Sequence, residues 1–508
     1  MPFNSLSFLV FIVVFLILYY IPRNKWQLSI LLIGSCIFYG VLNFGYFLLL
    51  SALTFFVFYF GKIFSIPSFK RKHFIFSFII IVLVIIYLFF KYYHFIYNHL
   101  SPILFQSSFS YFSYWFPIPS AIIYPLGLSF FVFSALSYII DLKRGVIPPE
   151  KDFMVFANYF LFFPKISQGP IERAGRLLPS FREVHQFDYF QVANGLKLIA
   201  WGLFKKVVIA DRIAVIVNTI YNNPDSYNGL YFMVATLFFA FQIYADFSGY
   251  TDMAIGIAKM LGYELTQNFN KPYFSKSIRE FWTRWHISFS TWLRDYLFLP
   301  VAFKLSDGWK KDKIFGIQTE KIIYALAITF TFFICGIWHG EGLNFVVWGL
   351  LFGVALSLSR LFKKSLRKNK ILRPKRSNKI IKFFQWFLTF SFVCFAWIFF
   401  RSNTIQEAFL IIKKIIQTPY TLPQGQLSLG YVLSIFRGFG VTQHEFIIAI
   451  LSITFLLFVD YFRKNREITA TINNLPAFFR WIVYYFILIM ILFFGAFNST
   501  QDFIYAKF

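Results

Sequence analysis

Long apolar runs separated by short polar segments dominate this chain. Ten runs approach the ~20 residues with which a helix crosses a bilayer, and they cover residues 5–21, 28–50, 74–92, 121–140, 228–247, 321–338, 342–362, 383–400, 445–462 and 479–496. Their residues do not alternate between apolar and polar, which excludes the strands of a membrane barrel. The stretch 28–61 is expected to break into two spans around "NFGYF". The pattern predicts an all-α, polytopic integral membrane protein with roughly ten to twelve transmembrane helices.

Basic residues between the runs predict the orientation of the first spans. Loops 22–27, 62–73 and 142–151 carry Lys and Arg, whereas 93–120 carries no formal charge. The positive-inside rule then places the N-terminus and the uncharged loop outside and the basic loops in the cytoplasm. No basic residue precedes the first span, whereas Arg23 and Lys25 follow it, so we interpret it as an uncleaved anchor. The same rule places the strongly basic loop 363–382 in the cytoplasm, and counting the spans onward from that loop places the C-terminus outside.

The central region differs from both flanks. In residues 160–310, Gly, Pro and charges interrupt the apolar runs, as in "FFPKISQGPIERAGRLLPSF", "WGLFKKVVIADR" and "FWTRWHISFSTWLRDYLFLP". Irregular backbone and charge at membrane depth are tolerated only inside protein or beside a water-filled cavity. The region is therefore expected to form a functional site, with re-entrant and interfacial helices around it. No internal repeat is evident, which disfavours a secondary transporter.

Composition supports the membrane assignment and removes one competing explanation of the charge. Hydrophobic residues make up 58% of the 508 residues and charged residues only 14%, while the net charge is +27. Ten Lys and Arg without an acid lie in 363–382. Anchoring of cytoplasmic loops against anionic lipid accounts for such charge, so no nucleic-acid partner is expected.

Cys36, Cys335 and Cys394 lie in apolar runs at unrelated spacings, which favours buried small side chains over disulfides or metal ligands.

The segment 279–296, taken as a helix, separates aromatic from polar residues. The aromatic stripe comprises Trp282, Trp285, Phe289, Trp292 and Tyr296, and another face carries Arg279, Thr283, His286, Ser290 and Arg294. One interpretation is an amphipathic helix in the membrane interface. The other is a helix whose polar face lines a cavity, with His286 directed into it. A shallow helix that roofs a cavity satisfies both.

His339 lies in "CGIWHGEG", between two apolar stretches and among three glycines. Ionisable residues inside membranes mark functional sites by default, and a neutral histidine is the form that a general base requires. The alternative is a histidine that is hydrogen-bonded at the end of a span. No HExxH or paired Cys/His spacing occurs, so no metal site is expected.

Other charged residues favour structural roles. Asp246 and Asp252 could act as acid and base or bind a cation, but we expect them to cap a helix break and to pair with arginines. Arg284 and Asp295 are expected to pair with each other or with the Asp246 region. Hydrolase elbows, P-loops and dinucleotide-binding glycine patterns are missing from the sequence.

Several motifs together resemble the membrane-bound O-acyltransferase family, in particular its alginate O-acetyltransferase branch, with the teichoic-acid D-alanyl transfer proteins as further relatives. The motifs are "FFPKISQGPIERAGRLLPSF", "DFSGYTDMAIGIAKMLGYELTQNFNKPYFSKSIREFWTRWHISFSTWLRDYLF" and "CGIWHG…NFVVWG". The similarity covers about residues 120–360 and continues loosely through "WIFFRS" to the closing "FIYAKF". In this resemblance His339 matches a nearly invariant histidine of the family and His286 its second histidine.

The resemblance implies spans around a central funnel and three parts of the chain. These are N-terminal transmembrane helices (1–120), a catalytic core with both histidines (121–362), and a basic cytoplasmic loop with C-terminal transmembrane helices (363–508). The implied location is the bacterial inner membrane.

The implied reaction is acetyl transfer from a cytoplasmic thioester, acetyl-CoA or an acylated carrier, which is a donor substrate and not a bound cofactor. The acceptor is an alginate-like exopolysaccharide or an extracytoplasmic, esterase-like partner protein that modifies it. His339 is the expected base, and His286 orients the donor or carries a second proton. D-alanyl transfer, lipid O-acylation and a non-enzymatic polymer or lipid channel stay open as alternatives.

Overall fold

The structure is a computed structural model of the chain. It describes all residues except 23–25, 67–70, 94, 98–123, 310, 369–377, 418–437, 464–466, 498–502 and 505–508. Most of the uncharged loop 93–120, the middle of the basic loop 363–382 and most of the closing "FIYAKF" lie outside the described residues. The expectations for their sidedness stay predictions.

The described chain is almost entirely helical. Its α-helices are α1 Leu6–Tyr20, α2 Gln27–Leu42, α3 Phe44–Lys62, α4 Lys72–Lys91, α5 Leu128–Arg144, α6 Phe153–Leu161, α7 Phe163–Ile166, α8 Ala174–Leu177, α9 Tyr189–Leu203, α10 Asp211–Tyr221, α11 Gly229–Met260, α12 Ile278–Trp282, α13 Ile287–Leu293, α14 Leu299–Gly308, α15 Thr319–His339, α16 Leu343–Lys368, α17 Lys379–Arg401, α18 Ile405–Gln417, α19 Gln443–Phe462, α20 Ile468–Asn473 and α21 Ala477–Phe494. Strands β1 (Lys313–Ile314) and β2 (Ile317–Gln318) form one antiparallel hairpin. Two segments, Phe204–Ala210 and Arg294–Phe298, are π-helical.

The predicted class, a multi-pass helical membrane protein, is confirmed. Within the described residues eight helices are long and apolar enough to cross a membrane, namely α3, α4, α11, α15, α16 (over Leu343–Leu361), α17, α19 and α21. Helices α1 and α2 are also apolar but shorter. The expected break near "NFGYF" also occurs. Helix α2 ends at Leu42, and the side chain of Asn43 accepts a hydrogen bond from the backbone N–H of Tyr46 at 3.0 Å, so it caps α3.

Two of the predicted local structures are wrong. Helix α11 runs for 32 residues without a break, so Asp246 and Asp252 do not cap an interruption. Segment 279–296 is not one helix, because α12 ends at Trp282 and α13 begins at Ile287. The 3.6-residue spacing of aromatic and polar residues in the sequence therefore continues through a turn of the backbone between α12 and α13.

Each of the two compact units of the chain has its own core. The first comprises Met1–Leu196 and Ala254–Thr266, and the second Lys197–Met253 and Gln267–Ile504. In the first unit, the ring of Phe163 packs against Phe11, Phe15 and Phe38 at centroid distances of 5.6, 5.3 and 5.4 Å. Such aromatic pairs add stability beyond their buried area.

Close backbone contact joins α15 to α16 in the second unit. A Cβ on Gly336 would lie 2.5 Å from the carbonyl oxygen of Phe345, and one on Gly349 would lie 2.2 Å from that of Phe332. Small residues let membrane helices approach until their backbones touch, which increases van der Waals contact. This helix pair holds His339 at the end of α15.

We therefore predict that Gly336→Ala destabilises the protein by about 1–3 kcal/mol, because the added methyl forces α15 and α16 apart. Thermal unfolding of the detergent-solubilised protein measures the change. Gly308→Ala is the matched control, since a Cβ at Gly308 meets no atom within 4 Å. Equal melting temperatures for the two variants would contradict the proposed role of the close contact.

Candidate active site

His286 has a backbone conformation that is uncommon for histidine. It is the residue before α13, with φ 43° and ψ 56°, in the left-handed region. For a residue other than glycine, this backbone conformation costs of order 1–3 kcal/mol of conformational energy, and residues that adopt it concentrate at functional sites. Only 1% of His286 is exposed. The turn between α12 and α13 thus directs an imidazole into the protein interior.

Asn268 holds this histidine from another part of the chain. Its Oδ1 lies 3.1 Å from Nδ1 of His286 and accepts hydrogen bonds from the backbone N–H of Ser288 at 3.1 Å and from its Oγ at 2.9 Å. The backbone carbonyl of Asn268 accepts from the N–H of Ile287 at 2.9 Å. Asn268 lies in the sequence "TQNFNKPYF", but no spacing relates position 268 to position 286, so no sequence pattern predicts this contact.

Aromatic rings form the remaining walls around His286. Phe247 lies perpendicular to the imidazole at a centroid distance of 4.7 Å, and Phe289 lies at 5.0 Å. Burial lowers the pKa of His286 well below its ordinary value of 6.5, because the charged imidazolium loses its hydration. The imidazole is therefore neutral at physiological pH.

His339 is the last residue of α15 and is 2% exposed. Its ring packs against Trp338 at 4.3 Å, Trp348 at 4.8 Å and Phe400 at 5.1 Å between centroids. Helices α15, α16 and α17 supply these neighbours. The histidine is thus enclosed in an aromatic setting inside the second unit and is not exposed at the surface.

One side chain contacts both predicted histidines. The centroid of Phe289 lies 5.0 Å from that of His286 and 6.4 Å from that of His339. The two imidazoles, far apart in sequence, therefore lie against the same aromatic ring. Each residue carries an imidazole, the side chain that most often acts as a general base.

Within the described residues, the aspartates form ion pairs with lysines and not with the expected arginines. Nζ of Lys206 lies 2.7 Å from Asp246 and 2.8 Å from Asp211, and Nζ of Lys205 lies 2.8 Å from Asp252. The π-helical segment 204–210 supplies both lysines. Because their oxygens are engaged by lysines, the aspartates favour a structural role over acid–base chemistry.

Arg284 and Asp295 also have partners other than those expected. Arg284 pairs with Glu280 at 2.6 Å, and Asp295 pairs with Arg294 at 2.7 Å. Both contacts join residues that are close in sequence. Over the described ranges, no group of three or more His, Cys, Asp or Glu residues could hold a metal ion.

We predict that Lys206→Met destabilises the protein by about 3–5 kcal/mol, because it leaves Asp246 and Asp211 buried without their cation. Thermal unfolding in detergent measures the loss. The triple variant Lys206→Met/Asp211→Asn/Asp246→Asn should recover much of it, since no uncompensated charge then remains. Lys382→Met, at an exposed lysine, is the control. Wild-type stability of Lys206→Met would contradict the importance of this cluster.

Comparison with known proteins relates this site to a family. Residues 148–401 match the membrane-bound O-acyltransferase (MBOAT) family, and this range includes both histidines. The chain is 32% identical over 416 residues to a Pseudomonas aeruginosa protein described as "Probable alginate O-acetylase AlgI", which covers 80% of this chain and 73% of that protein.

Two further relatives have names that describe other activities. The peptidoglycan O-acetyltransferase of Helicobacter pylori is 33% identical over 318 residues, 58% of this chain and 56% of that protein. The teichoic acid D-alanyltransferase of Bacillus subtilis is 30% identical over 292 residues, 56% of this chain and 70% of that protein. The names of all three describe acyl transfer.

Proposed function

The chain belongs to the membrane-bound O-acyltransferase family, and we propose that it moves an acetyl group from a cytoplasmic thioester across the membrane for O-acetylation of an extracytoplasmic polymer. As a member of this family it is a multi-pass membrane acyltransferase. The acetyl donor, the polymer, the bacterial inner membrane as its location and the roles of individual residues belong to the proposal.

One observation carries the assignment of the site. His286 and His339 are both buried, and both rings contact Phe289. Surface histidines or histidines in separate regions would not support a common reaction. A strained backbone at His286 and the family match around both residues point the same way.

In the proposed reaction His339 accepts the proton of an acceptor hydroxyl. The hydroxyl oxygen then bonds to the thioester carbonyl carbon, the tetrahedral intermediate collapses, and the carbon–sulfur bond breaks. The leaving thiolate takes the proton from the His339 imidazolium, so that a thiol and an ester result. General-base assistance of this kind contributes about 10²–10⁴-fold, and proximity adds more. His286 orients the donor or carries a second proton.

The donor is acetyl-CoA or an acylated carrier, because these are the thioesters available in the cytoplasm. The acceptor lies outside, as do alginate, peptidoglycan and teichoic acid, the polymers in the names of the relatives. We propose an alginate-like exopolysaccharide, reached directly or through an extracytoplasmic, esterase-like partner with its own hydroxyl. Membrane lipid surrounds the spans.

A second candidate is D-alanyl transfer, favoured by the similarity to the Bacillus subtilis teichoic acid D-alanyltransferase. It uses the same chemistry, since a D-alanyl thioester carries the same reacting carbonyl. It differs in the amino group that the acyl-binding region must accommodate.

We predict that His339→Ala folds and inserts normally but lowers acyl transfer at least 10²-fold, because the hydroxyl proton then lacks its acceptor. The measurement is incorporation of labelled acetyl into polymer by membranes that contain equal amounts of each variant. His444→Ala, at an exposed histidine, is the control and should keep full activity.

Retention of activity by His339→Ala would remove His339 from the mechanism. If His286→Ala were also active, the chain would fit a polymer or lipid channel better than a transferase. If His339→Ala lost both activity and folded protein, His339→Gln would separate the two effects, because glutamine keeps a polar side chain of similar size but cannot act as the base.

We predict that the polymer gains about 42 Da per modified hydroxyl in cells that express the chain with its neighbouring genes, because an acetyl group replaces a hydrogen atom. Mass spectrometry of the purified polymer, before and after mild base, measures this gain. The His339→Ala strain supplies the unmodified reference. A D-alanyl mass would instead establish the second candidate.

A further inference from the structure

Asn268 is a buried polar residue that the proposed reaction does not yet use. None of its surface is exposed, and it lies in the irregular segment that follows α11. Over the part of the chain that the structure describes, its Nδ2 has no hydrogen-bond partner. A buried amide nitrogen without a partner is costly, whereas the amide oxygen has three contacts, with Nδ1 of His286 and with the N–H and Oγ of Ser288.

The orientation of this amide follows from its neighbours. Amide oxygen and nitrogen are usually assigned from the surrounding hydrogen bonds. Here the backbone N–H of Ser288, which can only donate, lies 3.1 Å from the terminal atom of Asn268 that also approaches His286. That atom must therefore be the acceptor Oδ1, because an NH₂ group in its place would face another donor.

The tautomer of His286 follows from the orientation of Asn268. Nδ1 of His286 lies 3.1 Å from Oδ1, an atom that can only accept. A hydrogen bond across this distance requires the proton on Nδ1. Since a neutral imidazole carries one N–H, Nε2 then holds the lone pair. The opposite tautomer would bring two lone pairs together at this contact.

We propose that Asn268 is a positioning residue that fixes His286 as its Nδ1–H tautomer and so makes Nε2 the nitrogen that accepts a proton. Ser288 supports this arrangement, because its N–H and Oγ both hold the same oxygen. The tautomer stands on geometry alone, whereas its use in acyl transfer rests on the proposed function.

Nitrogen NMR of the full chain in lipid bilayers, with ¹⁵N-labelled histidine rings, tests the tautomer directly. The His286 signals are identified by their loss in His286→Gln. We expect a protonated Nδ1 and an unprotonated Nε2 in the wild type. Asn268→Ala should lose this signature and lower the acyl-transfer kcat at least tenfold with little change in KM, whereas Asn268→Asp, which keeps an acceptor oxygen, should retain the signature.

Asn270→Ala is the matched control. Asn270 lies two residues away and is half-buried, and its backbone N–H donates to the carbonyl of Arg284, a bond that alanine keeps. We expect both the signature and the activity to be unchanged in this variant.

An Nε2–H tautomer in the wild type would overturn the proposal, and so would an unchanged signature in Asn268→Ala. The wild-type spectrum needs no variant other than the His286→Gln reference, so a misfolded Asn268→Ala would not prevent the test. The proposed function fails separately, through an active His339→Ala, because the tautomer is measured without substrate.

Discussion

A polar group in the interior of this membrane protein must find its partner within the chain, because no bulk water is there to supply one. The structure meets this constraint in two ways. Lys205 and Lys206 meet carboxylates as ion pairs, whereas His286 stays neutral and meets an amide oxygen. The first arrangement stabilises packed helices, and the second leaves the imidazole uncharged.

This division explains why α11 is continuous. Asp246 and Asp252 lie in the middle of a long apolar helix, where an unpaired carboxylate would be costly. The lysines of segment 204–210 approach α11 closely enough to neutralise both. Their charges are balanced by these lysines, and Asp246 also accepts a hydrogen bond from the backbone N–H of Ile504 at 2.6 Å, so neither aspartate needs N–H groups freed by a break in α11.

The sequence was most informative where one dominant effect operates locally. Hydropathy predicted the helical membrane class, and the stretch "NFGYF" predicted a break between two spans that the structure confirms at Asn43. The turn before α13 was missed, because the residues on either side of His286 keep a helical period although the backbone at His286 itself is in the left-handed region. The partners Asn268, Lys205 and Lys206 were missed for another reason. Their contacts join segments that are distant in sequence, and no local pattern records such pairs.

The π-helical geometry of Phe204–Ala210 has a consequence for how this segment can change in evolution. A π-helical stretch contains one residue more than an α-helix needs for the same turns. Deleting a residue there would restore α-helical geometry and leave the two flanks in their present orientation, but it would change the directions of the side chains within the segment, since one residue spans about 100° of an α-helix. The lysines would then no longer face their carboxylates together, so substitutions are easier to accommodate in this segment than changes in its length.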